Sequence, residues 1–426
     1  MSFLGSMTSG AKPCPNFARF SGQAGNHKSR REQSLLYYFS VRTSLLFLCL
    51  ISFFSARSKA QVPSTILDQM STQDHLKQPG WWPRKGDAAR DEYVGPAACA
   101  ECHETQAHGQ GQHSMAHTSM PASESSVLKG SEADFRIGPY FYKISRTGNQ
   151  EVYTVTDGVD TISSPLLWAF GSGSRGQSYL FNHDGKLYEA RISFFHDRGF
   201  DITPDHPEAP PKSLELAVGR PVPDDEQIKC FSCHTVASIT HGHFDQGQLM
   251  LGISCEGCHG PGASHVALAK AGSPQPGLIF NPAHLSAAQS VDFCGSCHRT
   301  WWDAALFDGV RTIRFPATRL EKSKCWGSGD KRITCAACHD PHQPLQREST
   351  AYDAKCLSCH QAKSAGPAHT LTNSAVAANE QPLAPACRTG TSNCVSCHMP
   401  KFEIPSMRNL FTDHKIQIVT SKGFVQ

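Results

Sequence analysis

The sequence predicts a mainly α-helical and irregular fold, short helices joined by loops, that carries a small antiparallel β insert. Three observations predict it. A five-residue unit, CxxCH, occurs seven times along the chain. The 34 Gly and 27 Pro in 426 residues break up long regular elements. One stretch between the first and second units alternates apolar and polar residues around turn signals.

The units place Cys99, Cys102 and His103; Cys230, Cys233 and His234; Cys255, Cys258 and His259; Cys294, Cys297 and His298; Cys335, Cys338 and His339; Cys356, Cys359 and His360; and Cys394, Cys397 and His398. They use 14 of the 18 cysteines, and every CxxC has His next. Covalent haem c explains the unit. Cysteines at i and i+3 fall on one side of a helical turn, where each thiol can form a thioether to a haem vinyl group. The histidine that follows supplies the proximal iron ligand. Structural zinc wants four ligands, usually two CxxC pairs, and seven units do not pair evenly. A redox dithiol wants one CxxC in a βαβ unit, and none is visible. The expectation is therefore seven covalently attached haems c.

About 52 residues of mature chain then serve each haem. Such a chain needs no ordinary apolar core, because the porphyrins supply it. The expected fold class is a mainly α and irregular multihaem cytochrome c, with short helices and loops wrapped around stacked haems.

The β insert is expected at residues 133–200. "YFYKISRTGNQEVYTVTDG" (140–158) holds two strand-like runs around a Gly-Asn turn. "SYLFNHDGKLYEARISFF" (178–195) holds another pair around Asp184-Gly185, a strong hairpin signal. "TPDHPEAPPK" (203–212) leads back to the haem motifs. "GSGSRG", with Gly171, Gly173 and Gly176, has dinucleotide-fingerprint spacing, but a strand run follows it, so it reads as a loop. The divisions expected are a leader at 1–60, an N-terminal segment at 61–132 with the first motif, the insert, and a six-motif region at 201–426.

Lys28, Arg30, Arg31 and Arg42 precede an apolar run, "SLLFLCLISFF" (44–54). Ser58 and Ala60 follow with cleavage-site spacing, so the reading is an exported protein cut before Gln61, with an extended N-terminus ahead of the signal. An uncleaved anchor is the alternative, but the run has 11 residues and a span needs about 20. The location expected is periplasmic or otherwise exported. Cys14 and Cys49 then leave with the leader. Cys325 and Cys387 remain as the non-haem cysteines, either a disulfide or two separate thiols. A net charge of +3 with 18% charged residues implies no strong electrostatic partner, and there is no basic stripe for nucleic acid.

"EYVGPAACAECH" (92–103), "ISCEGCHGPGASHV" (253–266), "CGSCHR" (294–299), "KCWGSGDKRITCAACHDPH" (324–342), "CVSCHMPK" (394–401) and "FTDHKI" (411–416) resemble secreted multihaem cytochromes of the c-552/4 type. That group is related to the haem clusters of hydroxylamine oxidoreductase and its tetrahaem acceptor. The resemblance covers residues 92–416 and implies closely spaced, stacked haems that pass electrons.

The sixth iron ligand decides between relay and catalyst. Two axial histidines leave no open position and keep the potential low, whereas Met raises it. The mature chain has 14 histidines outside the units. His265 and His342 lie too near their own motifs to turn back easily, so each is expected to cap a neighbouring haem. His414 is expected as a distal ligand from the C-terminal tail, and His113 and His369 complete the candidate set. His117 and Met115 are further choices near the first motif, and His241, His243 and His284 are weaker ones. No CxxCK occurs. The reading is a heptahaem electron carrier outside the cytoplasmic membrane, with mostly bis-histidine haems. The alternatives are a multihaem oxidoreductase acting on a small nitrogen or sulfur compound at one open haem, and a docking subunit of a larger assembly. The partners expected are redox proteins, with possible association with an exported or membrane-bound respiratory complex.

Overall fold

The computed structural model describes residues 88–130, 133–300, 304, 309–326, 330, 332–360, 390–404, 407–420 and 423–424. The leader at 1–60, residues 61–87, Cys387 and His369 lie outside them.

The largest element is a ten-stranded antiparallel sheet. Its strands are β1 (Ser119–Pro121), β2 (Ala133–Ile137), β3 (Tyr140–Thr147), β4 (Gln150–Thr156), β5 (Thr161–Phe170), β6 (Gly176–His183), β7 (Lys186–Ala190), β8 (Ile192–Phe195), β9 (Gly199–Ile202) and β10 (Gly219–Pro221). The main path runs β10-β7-β6-β5-β4-β3-β2, with β1 on β5 and a β8-β9 branch on β6. The β6-β7 turn is Asp184-Gly185 with φ of +47° and +73°, so both central residues are left-handed. A two-residue turn of that kind matches strand twist.

Period-two patterning sets the faces. In β3, Tyr140, Tyr142 and Ile144 are buried while Phe141 and Lys143 are exposed. In β4, Tyr153 and Val155 point the same way. With Tyr179, Phe181 and Ile192 they form the main apolar cluster, closed by Ala217 and Val218 of the short helix Leu214–Val218. Burial of each large ring contributes roughly 2–3 kcal/mol.

The opposite side of the β5-β6 region carries a second cluster, Trp168, Leu180, Val222 and Phe231. Phe231 belongs to the second CxxCH unit. Its ring lies 5.3 Å from that of Trp168 and 5.1 Å from that of Phe170, both edge-on, and 3.9 Å from that of Phe244 in a stack. The sheet and the second motif therefore share one aromatic core.

This architecture corrects the expectation of a mainly α fold with a small β insert. The sheet is ten-stranded, and it begins before residue 133 at β1 and ends beyond 200 at β10. Two-stranded hairpins also lie outside it, among them β11 (Lys401–Ile404) with β12 (Asn409–Thr412). The physical reason is length. β1 and β10 have three residues each and end at a proline, so neither is long enough to show alternation. They are strands because longer partners, β5 and β7, offer them backbone hydrogen bonds.

The helices that matter here are α1 (Pro96–Ala100), α2 (Glu104–Gln112), α3 (Asp224–His234), α4 (Glu256–His259), α5 (Ala263–Lys270), α6 (Ala287–His298), α7 (Pro316–Glu321), α8 (Cys335–Cys338), α9 (Asp353–His360) and α10 (Cys394–His398). Most are short. Ser286 caps α6 by accepting the N–H of Gln289, whose side chain accepts in return from the Ser286 N–H. Thr334 caps α8 in the same sense through the N–H of Ala337.

Candidate haem centres

Each CxxCH unit coincides with a helical turn. The second, fourth, sixth and seventh run to the last residue of α3, α6, α9 and α10, and the third lies at α4. The first lies at the end of α1, and the fifth spans α8 with His339 just beyond it. The helical turn brings the two sulfurs of a unit to one side.

Several motif imidazoles are oriented by a hydrogen bond at Nδ1. His234 donates to the Thr118 carbonyl at 2.8 Å, His259 to the Phe280 carbonyl at 2.8 Å and His398 to the Gln417 carbonyl at 2.7 Å. His339 Nδ1 lies 3.3 Å from the Tyr352 hydroxyl, which donates its own proton to the Gln346 carbonyl at 2.8 Å. A proton held at Nδ1 leaves the Nε2 lone pair for a metal. Burial pushes His339 down to about 4, helped by the neighbouring imidazoles of His414, His113 and His298, and burial also lowers His259. Both shifts favour the neutral ring, the form that ligates.

The structure then brings histidines together in pairs. The rings of His103 and His265 are 6.5 Å apart and inclined by 21°. Those of His259 and His342 are 6.0 Å apart and inclined by 14°. Those of His339 and His414 are 6.3 Å apart and inclined by 46°. This spacing tests whether the residues fit a haem iron. A metal–nitrogen bond of about 2 Å on each side, with ring centres about 1 Å beyond the nitrogens, puts two imidazoles that share one metal roughly 6 Å apart. The pairs fit, and direct stacking contact would be closer. Burial lowers His414 as well, and its Nδ1 donates to the Thr412 carbonyl at 3.1 Å.

The other candidates are placed differently. His113 accepts the Met115 N–H at Nδ1, at 3.0 Å, so a neutral ring carries its proton on Nε2. His117 is exposed, with Nε2 2.9 Å from the Gly111 carbonyl. His183 and His206 are bonded to the carboxylates of Glu215 and Glu189. Cys325 is half-buried with a free thiol.

Units that are distant in sequence meet in space. Cys99 and Cys255 lie near one another, as do Cys294 and Cys335, and Cys356 and Cys394. Cys233 Sγ lies 3.7 Å from the Ser296 carbonyl, and Cys297 Sγ 3.7 Å from the Cys233 carbonyl. Two carboxylates tie such neighbours. Glu256, fully buried inside "CEGCH", accepts the N–H groups of Val94, Gly95 and Gly262 at 2.9, 2.8 and 2.9 Å. It thereby holds the start of α1. Asp353, the first residue of α9, accepts those of Asn393 and Cys394 at 2.6 and 2.8 Å, which holds the start of α10. Those bonds also lower the Asp353 carboxyl below its usual range. Sequence reasoning missed both residues. The only trace was an acidic residue between the cysteines of a unit, a feature Glu256 shares with Glu101.

A profile of the family "Cytochrome c554 and c-prime" matches residues 209–260, which include the second and third units. The multiheme cytochrome MtrA of Shewanella baltica (strain OS185) is 24% identical over 192 residues, 40% of this chain and 52% of that protein. The chain thus spans about half the length of that curated relative. The crystal structure of the outer cell wall cytochrome OcwA aligns with a TM-score of 0.45 and 15% identity over 78% of this chain and 80% of that one, a likeness too low to carry an argument. Among the described residues no helix is long and apolar enough to cross a membrane. The repeated CxxCH units, the family match and the MtrA relative together make the chain a multihaem c-type cytochrome.

Proposed function

We propose that the chain is an exported electron carrier holding seven haems c, most of them between two histidines. When bound, each haem supplies an iron that takes up and gives back one electron. The chain's own residues do the rest. The paired cysteines of each unit fix the group covalently, and the following histidine ligates one face. His265, His342 and His414 ligate the opposite faces at His103, His259 and His339. The single observation that carries this reading is the 6.0–6.5 Å spacing of those three imidazole pairs. The cysteine contacts between units support close haem packing, the arrangement a relay needs. His369 remains a candidate for a further iron, whereas the Met115 N–H on Nδ1 of His113 leaves that ring's proton on the nitrogen a metal would need. Export rests on the leader-like segment ahead of Gln61. The partners proposed are redox proteins, with docking to an exported or membrane-bound respiratory complex.

A second reading, an oxidoreductase acting on a small nitrogen or sulfur compound at one open haem, draws on a separate observation. Among the described residues no second imidazole faces His234 or His398, whose Nδ1 partners are backbone carbonyls. Two measurements on the mature protein test both readings. Its mass should exceed the polypeptide by seven haems, and fewer than five or bound zinc would refute the count. Its oxidised EPR spectrum should be mainly low-spin. Several high-spin haems would favour the enzyme.

A further inference from the structure

We propose that the ion pair between Arg319 and Asp413 positions the strap 413–417, and that the strap fixes two haem irons at once. One iron is that of the Cys335, Cys338 and His339 unit, and the other that of the Cys394, Cys397 and His398 unit. The inference rests on the haem reading above and adds the residues that hold its ligands in place.

Asp413 is buried, at 1% exposure, and is the first residue of the strap. Its carboxylate accepts from Arg319 Nε at 2.7 Å and Nη2 at 2.5 Å, a two-point pair that fixes angle as well as distance. It also accepts from the Lys415 N–H at 2.9 Å and from Gln417 Nε2 at 3.0 Å, so it shapes the residues that follow His414. Ser323 follows Arg319 by one helical turn. Its hydroxyl donates to the His414 carbonyl at 3.2 Å and accepts the Ile416 N–H at 2.8 Å. The imidazole of His414 is thus held from both sides of its own backbone.

The same five residues reach the seventh unit. The Asp413 N–H donates to the Pro400 carbonyl at 3.0 Å, two residues past His398. The Gln417 carbonyl accepts the Nδ1 proton of His398 at 2.7 Å. One end of the strap therefore presents an imidazole toward His339, and the other sets the ring angle of His398. Asp413 is bonded into both ends. A lysine cannot replace Arg319, because a single ammonium lacks the planar fork.

The test uses the full, haem-loaded chain and low-temperature EPR of its oxidised form, with carbon monoxide binding as a second readout. His414→Ala should give one new high-spin haem that binds carbon monoxide, with the other signals unchanged. Asp413→Asn should give that same high-spin signal and also shift the g-values of a second haem, that of the His398 unit. If Asp413→Asn does not mature with its full haem complement, Arg319→Lys replaces it and should give the same two changes. A His414→Ala spectrum identical to the parent would overturn the ligand assignment beneath the proposal. An altered His414→Ala spectrum beside a parent-like one for the strap variant would overturn the proposal alone. A strap variant that shows only the His414→Ala change would overturn the tie to His398.

Discussion

Glu256 holds Gly95 across 161 residues of chain, through a 2.8 Å hydrogen bond from the glycine N–H to a carboxylate oxygen. The carboxylate lies between the two cysteines of the third unit, and the glycine starts the helix of the first. Their cysteines Cys99 and Cys255 lie near one another. A buried acid thus sets the distance between two units that sequence places far apart. Asp353 does the same for the sixth and seventh units from a more exposed position.

Replacing Glu256 with Ala should destabilise the protein strongly. Three backbone N–H groups would lose their acceptor in a buried place, and each orphan costs about 1–3 kcal/mol. The expected loss is about 3 kcal/mol or more, with Glu256→Gln intermediate because one oxygen remains. Denaturant unfolding of the haem-loaded protein, followed by haem absorbance, checks it. An unchanged midpoint for Glu256→Ala would show that the carboxylate is not a tie.

His265→Ala and His342→Ala should each convert one low-spin haem to high-spin. Each variant should bind one more carbon monoxide per molecule than the parent, because each removes one imidazole of a facing pair. The two effects should add, since the variants open different irons. A His265→Ala protein whose spectrum matches the parent would leave His103 without the assigned partner.

Phe231→Ala should uncouple the sheet from the second unit. The ring is fully buried against Trp168, Phe170 and Phe244. Its loss should cost roughly 3–5 kcal/mol, the usual range for an emptied aromatic site. In calorimetry the sheet should melt earlier, while the mass still shows a full set of haems. A melting profile equal to the parent would refute the shared core.

Glu321 gives a pH dependence with a definite sign. Burial raises its carboxyl to about 7, and Asp292 adds to the effect while Lys322 opposes it. An unfolded glutamate ionises near 4.3. The folded state therefore holds the proton more tightly, and its contribution to stability is lost as pH rises from about 4.3 to about 7. After discounting for partial solvent access, the loss is on the order of 2 kcal/mol. Glu321→Gln should flatten that part of the stability curve. A curve of unchanged slope between pH 5 and 7 would show that Glu321 ionises normally.

What the sequence disclosed follows from how local each signal is. A CxxCH unit is complete within one helical turn, so Cys99 to His103 can be read without its surroundings. The Asp184-Gly185 turn is equally local, and φ of both residues is positive. The facing imidazoles are a different matter. Nothing near His265 names His103, because the fold brings them together over 162 residues of chain. Arg319 and Asp413 are likewise 94 residues apart. The size of the sheet was hidden for a third reason. Ser119–Pro121 and Gly219–Pro221 become strands only when a longer neighbour is already in place.

The three facing pairs share an order along the chain that bears on how the protein is made. The partner of His103 follows the third unit, that of His259 follows the fifth unit, and that of His339 follows the seventh. On the proposed ligand set, each of these irons waits for a unit two places further on before its second face closes. A chain threaded through a membrane from its N-terminus would therefore close these three irons in sequence, each once the unit two places further on and the histidine after it have passed. A chain cut after Ile404 should show the outcome directly. It should mature with closed irons at His103 and His259 and an open one at His339, visible as one added high-spin signal. Three added signals would mean that the tail governs the whole array and that no such order exists.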